Sequence, residues 1–246
     1  MRVSGVADLI EVEVSGAVDY PGSYTLSANT TLSELYNLVG DFKKEAYSEG
    51  VVFLRDSIRE RQLIAIQKSK EDLNKTILTS VEKGVSIDLN LFNLLSKTID
   101  PENLGRIAGD YSPGSKGANE TILFSGDKII IPRRPSTINV LGEVLNPTAF
   151  DFSNDLSVRK AIELAGGFQE YAEKSKVYVI KSNGIIERAN RNIFQGGNIT
   201  LEPGDSIIVP RKVQSSGSGL DILVPLTSVL SNLAFSAAAL DNLTSD

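Results

Sequence analysis

With no His and no Cys among its 246 residues, this chain reduces the question of candidate chemistry largely to its 31 carboxylates. The missing His removes the usual general base, the Ser-His triad and the commonest metal ligand. The missing Cys removes thiol catalysis, zinc-thiolate sites and disulfides. Two carboxylates can hydrolyse a glycosidic bond when they face each other across it. Here acidic residues are spread along the chain and no two are singled out by spacing. Asp127 and Asp205 are the most suggestive, because each follows a glycine in nearly the same phrase: Ser125-Gly126-Asp127-Lys128-Ile129-Ile130-Ile131-Pro132-Arg133 and Pro203-Gly204-Asp205-Ser206-Ile207-Ile208-Val209-Pro210-Arg211. Gly lets a turn take positive φ and Asp bonds nearby backbone N–H groups, so a turn feeding a strand explains both. Ala165-Gly166-Gly167-Phe168 ends a helix instead of opening one and is no phosphate loop. The Asn-x-Thr sequons at Asn119 and Asn198 are chance products of a chain rich in both residues. No catalytic, cofactor-binding or metal-binding residue is assigned, and no cofactor is expected.

The recurrence of that phrase belongs to a larger duplication. Val14-Ser15-Gly16-Ala17-Val18 with Pro21 and Tyr24 returns as Val140-Leu141-Gly142-Glu143-Val144 with Pro147 and Phe150, at an offset of 126. Gly40/Gly166, Phe42/Phe168 and Val51–Arg55 against Val177–Lys181 keep the same offset. The closing phrases are offset by 78, so the first copy holds 48 extra residues (126 − 78). Two copies with one large insertion imply two similar small domains; a solenoid needs at least three units at a short fixed period.

Within each copy the elements follow from periodicity and turn chemistry. Ile10–Val14 alternates as a half-buried strand, Asp19-Tyr20-Pro21-Gly22 is a turn, and Ser23–Leu26 returns. Thr31 and Glu34 form a capping arrangement for a helix whose apolar spacing is Leu32, Leu35, Leu38 and Val39, stopped at Gly40. Val51–Leu54 and Lys128–Ile131 complete the first set. In the second copy Thr137–Leu141, Ala149–Phe152, the helix Ser157–Ala165, a hairpin through Ser182-Asn183-Gly184, and Asp205–Val209 repeat it. One helix over a small mixed sheet is an α+β layer. The insertion, about 57–121, reads as amphipathic helix from Ile58 to Val81, then a second helix over about Leu89–Thr98 ended by Pro101, then a Gly/Ser/Pro loop over Asp110–Asn119. Ser69-Lys70-Glu71-Asp72 reads either as a fresh cap or as a solvent face.

The domains are accordingly 9–134 with the insertion at 57–121, 135–213, a flexible linker at 214–219, and a C-terminal amphipathic helix over 220–246. From Ile222 to Leu240 no residue is charged. On a helical wheel Ile222, Leu223, Leu226, Val229, Leu230, Leu233, Ala237 and Leu240 share one face, while Thr227, Ser228, Ser231, Asn232 and Ser236 lie on the other. Ile222–Leu243 as a helix would measure about 33 Å, the thickness of a bilayer core. Three readings stand open: a helix docked on its own domain, a lone lipid-embedded span, and a span within an oligomeric ring. In the ring the leucines meet lipid and the small polar residues meet neighbours or a water-filled lumen.

The net charge of −6 argues against nucleic acid, and no polybasic run tracks an anionic membrane. Met1-Arg2-Val3-Ser4-Gly5 opens no apolar stretch, so no signal peptide is read.

The motif Val14-x-Gly16-x-Val18-x-x-Pro21-Gly22-x-Tyr24, the short Leu helix ending in Gly, and the closing Gly-Asp-x-Ile-x-x-Pro-Arg resemble SLBB domains, the soluble-ligand-binding β-grasp module. Two in tandem, with an inserted helical segment followed by Gly105-Arg106-Ile107-Ala108 and an amphipathic C-terminal segment, resemble the outer-membrane polysaccharide export family over about Leu9–Leu243. Members of that family begin with a secretion signal and a polysaccharide-export domain, so the chain is read as the C-terminal part of such a protein. The resemblance implies a non-enzymatic translocon subunit for capsular or exopolysaccharide. It implies a homo-oligomeric ring at the periplasm and outer membrane, and an inner-membrane co-polymerase or transporter as partner. It carries over no catalytic residues. The rival readings are a soluble monomeric β-grasp module binding a small ligand or carbohydrate, and a polysaccharide-modifying enzyme.

Overall fold

The computed structural model describes residues 8–82, 104–189 and 199–212. Strand β1 (Leu9–Gly16) buries Val12 and Val14 and exposes Glu11 and Glu13, as a strand with one wet face must. It pairs antiparallel with β2 (Gly22–Ser27), Val12 opposite Tyr24. Helix α1 (Leu32–Val39) starts with a complete capping box: the Thr31 hydroxyl accepts from the Glu34 N–H and the Glu34 carboxylate accepts from the Thr31 N–H. It buries Leu32, Leu35, Tyr36 and Val39. Leu38 does not join that face and is 53% exposed. The reason is angular: at 100° per residue Leu38 falls outside the stripe shared by 32, 35, 36 and 39.

Strand β3 (Val52–Leu54) leads into α2 (Asp56–Glu82), a 27-residue helix about 40 Å long. Its backbone runs without a break through Ser69–Asp72, so those residues start no fresh helix. The helix read over 89–98 lies outside the described residues. After it, β4 (Arg106–Ile107) joins the sheet antiparallel to β3, and α3 (Lys116–Glu120) folds within the stretch read as a loop, capped by Ser115. Strand β5 (Lys128–Ile131) then inserts between β1 and β3, parallel to β1 with Val14 beside Ile129. The sheet order is β2-β1-β5-β3-β4.

The second half rebuilds this order strand for strand: β6 (Thr137–Gly142), β7 (Thr148–Asp151), helix α4 (Val158–Leu164), β8 (Tyr178–Ile180), β9 (Ile186–Arg188) and β10 (Ser206–Val209) give β7-β6-β10-β8-β9. The correspondence extends to isolated bridges. Val18–Phe42 and Ala46–Arg133 in the first unit return as Val144–Phe168 and Ala172–Arg211 in the second. Each unit is an α+β fold in which one equivalent helix, α1 or α4, accompanies a five-stranded mixed sheet, and the first unit adds α2 and α3. The cores are separate, around Leu35, Phe53 and Ile129 in one and Ile138, Ile162 and Ile207 in the other.

Pairing locates most of the extra residues. Leu54 pairs with Arg106 and Ile180 with Ile186, so 51 residues separate the paired positions in the first hairpin and five in the second. The insertion is therefore a greatly lengthened β3–β4 connection, and β4 holds the place that β9 holds in the second sheet.

The glycines of the repeated Val-x-Gly motif have a steric cause. Gly16 and Gly142 sit at φ +97° and +93°, where a Cβ would lie 2.0 Å from the Ile131 oxygen and 2.1 Å from the Val209 oxygen. Those carbonyls accept from the next N–H groups, of Ala17 and Glu143, both at 2.8 Å. Only glycine lets β1 and β6 end this close to their parallel partners.

Candidate functional site

The aspartates of the two Gly-Asp phrases are fully buried, and each meets a cation from the end of the neighbouring strand. Asp127 follows a turn at Gly126 (φ +87°) and accepts from the Phe124 N–H at 2.8 Å. Arg55, just past β3, closes on it with two bonds, Nε to Oδ1 at 2.9 Å and an Nη to Oδ2 at 2.8 Å. The same guanidinium donates to the Ile122 carbonyl and lies over the rings of Phe124 (4.5 Å) and Phe53 (5.0 Å). Asp205 repeats the arrangement after Gly204 (φ +86°), accepting from the Glu202 N–H at 2.8 Å, from Lys181 Nζ at 2.7 Å and from the Ser182 N–H at 3.3 Å. Lys181 also reaches Glu202 at 2.9 Å and the Thr200 carbonyl at 3.0 Å. Burial pushes the Asp205 carboxyl above the ordinary range against the pull of Lys181. Burial alone would lower the Lys181 ammonium, but Asp205 and Glu202 outweigh it and hold it above the usual lysine range.

These pairs stand where strand end meets turn, and each cation also bonds a backbone carbonyl of its own unit, Ile122 for Arg55 and Thr200 for Lys181. That makes them a structural lock, in keeping with the turn role read from the Gly-Asp phrases. Sequence reasoning had both halves of each pair in view, Arg55 over Lys181 and Asp127 over Asp205, without joining them. The signal was available: a basic residue closes each repeated strand and an aspartate opens each closing phrase.

A second cluster lies where the units meet. The β8–β9 turn, read as an Asn-Gly hairpin, presents its carbonyls to the first unit. Arg106 on β4 donates to the Ser182 carbonyl, and the Gly109 N–H donates to the Asn183 carbonyl at 3.4 Å. Gly184 sits at φ +86°, which favours glycine, and a Cβ there would also lie 3.2 Å from Arg106 Nε and 3.3 Å from Ala108 Cβ. Burial pushes the Arg106 guanidinium down to about 10. Tyr47 is 2% exposed, and its phenol is raised by burial, with the charges of Glu202 and Asp205 of the second unit adding to the rise.

A third grouping is an exposed set of cations on the second unit. Residues 171–173 run beside 210–212, with the Lys212 N–H donating to the Tyr171 carbonyl and the Glu173 N–H to the Pro210 carbonyl. Arg211 lies 5.0 Å over the Tyr171 ring and Lys174 5.3 Å over the Phe168 ring. An Arg188 Nη donates to the Ser175 carbonyl at 3.3 Å. Lys174, Lys176, Arg188, Arg211 and Lys212 are all exposed.

The residues assigned to a membrane-facing side, Ile222, Leu223, Leu226, Val229, Leu230, Leu233 and Leu240, lie outside the described residues. So do Thr227, Ser228, Ser231, Asn232 and Ser236. Among the described residues no helix is long and apolar enough to cross a membrane. Also among them, no group of three or more acidic side chains is placed to hold a metal ion.

The SLBB domain model matches residues 12–60 and 137–192, one stretch in each unit. Two versions of the polysialic acid transport protein KpsD of Escherichia coli are 25% and 24% identical to the chain over 234 residues. The alignment covers 94% of this chain, which spans about two fifths (40%) of the length of those relatives. One matched stretch falls in each unit of the duplicated sheet order, so the chain carries two successive matches to the SLBB domain, and its resemblance is to the outer-membrane polysaccharide export family.

Proposed function

We propose that this chain is a non-enzymatic part of a bacterial envelope translocon through which a capsular or exopolysaccharide leaves the cell. The observation that carries the reading is the similarity to KpsD along nearly the whole chain, across both SLBB domains and the insertion. Two rigid β-grasp units suit stacking into rings, because head-to-tail contacts between copies form a ring when the rotation between neighbours divides the full circle evenly. A polymer passing through such a ring needs a wide, hydrated lumen that binds weakly at many points; tight sites would stall it. The buried aspartates act as internal locks, so the domains offer rigid walls. In this reading the protein works at the periplasm and outer membrane, an inner-membrane co-polymerase or transporter delivers the polymer, and residues 222–240 face lipid with their leucines.

Deleting the gene in the producing strain tests this. Polymer should still be synthesised and accumulate inside while surface polymer disappears. Normal surface polymer in the deletion strain would overturn the assignment and leave a ligand-binding β-grasp module as the better account.

A further inference from the structure

The cationic face of the second unit corresponds to a face of the first unit on which Tyr47 is buried. The two offsets place Ala172, Glu173, Lys174 and Lys176 over Ala46, Tyr47, Ser48 and Gly50, and Arg211-Lys212 over Arg133-Arg134. In the first unit Tyr47 on this face is 2% exposed, with the Arg134 guanidinium 5.5 Å over its ring. In the second unit the same backbone arrangement leaves Lys174, Lys176, Arg211 and Lys212 exposed among the described residues, and its side chains differ in kind. A buried aromatic gives way to half-buried Glu173, and an uncharged 3₁₀ position on either side of the turn becomes a lysine. Arg211 lies over exposed Tyr171 and Lys174 over half-buried Phe168, with Lys176, Arg188 and Lys212 exposed on the same and the adjoining segments. The carboxylates on or beside the face are Glu143, 3.9 Å from Arg211, Glu170, and Glu173, which accepts from the Ser175 hydroxyl at 2.5 Å. Cations therefore outnumber carboxylates here, in a chain whose net charge is −6.

We propose that this cationic face contacts a polyanionic glycan whose repeat carries carboxylates, the lysines and arginines pairing with the acid groups and Tyr171 lying against the sugar rings. The proposal rests on the export reading and adds to it the charge class of the polymer and the surface that meets it. Exposed Lys–carboxylate contacts are individually weak and salt-screened. Several in a row give the loose, multi-site hold that a moving polymer requires.

The test measures binding of the full chain to three probes at low salt: alginate oligosaccharide, dextran of the same length, and polyglutamate. Alginate should bind and dextran should not. Reversing Lys174, Lys176 and Lys212 together to Glu should weaken alginate binding at least about tenfold, as three lost surface ion pairs would. Lys43→Glu with Lys44→Glu on the first unit should change it less than about twofold by the same reasoning. The milder Lys→Gln triple variant, checked for an unchanged melting temperature, guards against misfolding and should also weaken binding. Undiminished alginate binding by both triple variants, binding of dextran, or preference for polyglutamate would overturn the proposal. In the producing strain the outcomes separate cleanly. If deletion abolishes surface polymer but the triple variant restores it fully, the export role stands and this face is not the contact. If deletion has no effect, the export role itself falls.

Discussion

The Arg55 guanidinium holds the buried Asp127 carboxylate by two parallel bonds of 2.9 and 2.8 Å, across 72 residues of chain. The same relation recurs with a different cation in Lys181 and Asp205. Removing one partner of a buried pair leaves the other charge without compensation, at a cost of about 3–5 kcal/mol. Arg55→Ala should destabilise the first unit by that amount, and Lys181→Ala should do the same to the second. Urea titration followed by probes in each unit checks both; a loss below about 1 kcal/mol, the range of surface pairs, would show that the pairs are not locks.

The pH response of the second unit follows from Lys181. Its native pKa lies above the unfolded value, so the stability it contributes is fully present below pH 10.5 and is lost as pH rises through the native value. Asp205 is also raised: between its ordinary and its raised value the native state holds more protons than the unfolded one, so its contribution falls as pH rises through that window. Replacing Lys181 by Arg keeps the cation charged at high pH. The melting temperature of Lys181→Arg should therefore fall less between pH 9 and pH 11.5 than that of the parent. Tyr36, buried and raised in the first unit, is common to both proteins and cancels in the comparison.

Gly16→Ala and Gly142→Ala should each be severe. Positive φ alone costs about 1–3 kcal/mol for a residue with a side chain. The new methyl would also press on a backbone oxygen that cannot move without breaking the parallel β1–β5 or β6–β10 pair. Gly167→Ala, at φ +87° with nothing within 4 Å of the added Cβ, should show only the conformational part. Equal melting temperatures for Gly142→Ala and Gly167→Ala would remove the steric argument.

Arg106→Ala should loosen the joint between units while leaving both cores intact, since Arg106 joins β4 to the Ser182 carbonyl. Limited proteolysis should then cut at Ser182–Gly184 faster than in the parent. Unchanged cleavage would mean that the turn is held without Arg106.

For the C-terminal segment the helical wheel sets a contrast. Leu230→Arg or Leu233→Arg would place a charge on the proposed lipid face, costing about 2.5–3.5 kcal/mol near mid-bilayer. Ser231→Arg, on the small polar face, should be milder in a surface-polymer assay. Equal tolerance of all three would favour a helix docked on its own domain.

What the sequence determined by itself was local or repeated. Alternation at Ile10–Val14, the Thr31/Glu34 capping box and the Asn183-Gly184 turn each depend on a few neighbouring residues, and all appear in the structure. Duplication turned those local readings into two like units, because a pattern seen twice is unlike chance. Leu38 marks the limit of periodicity, since one residue at the margin of a helical stripe is placed by packing and not by spacing. Only the tertiary structure decided the rest. Strand β4 is two residues long, too short to show any period, and it exists because β3 offers it an edge. The bond from Arg55 to Asp127, the seat of the β8–β9 turn on Arg106, and the Arg134 guanidinium over buried Tyr47 all join residues far apart in the chain. Such contacts depend on how whole sheets close and pack, and no short window of sequence contains both partners.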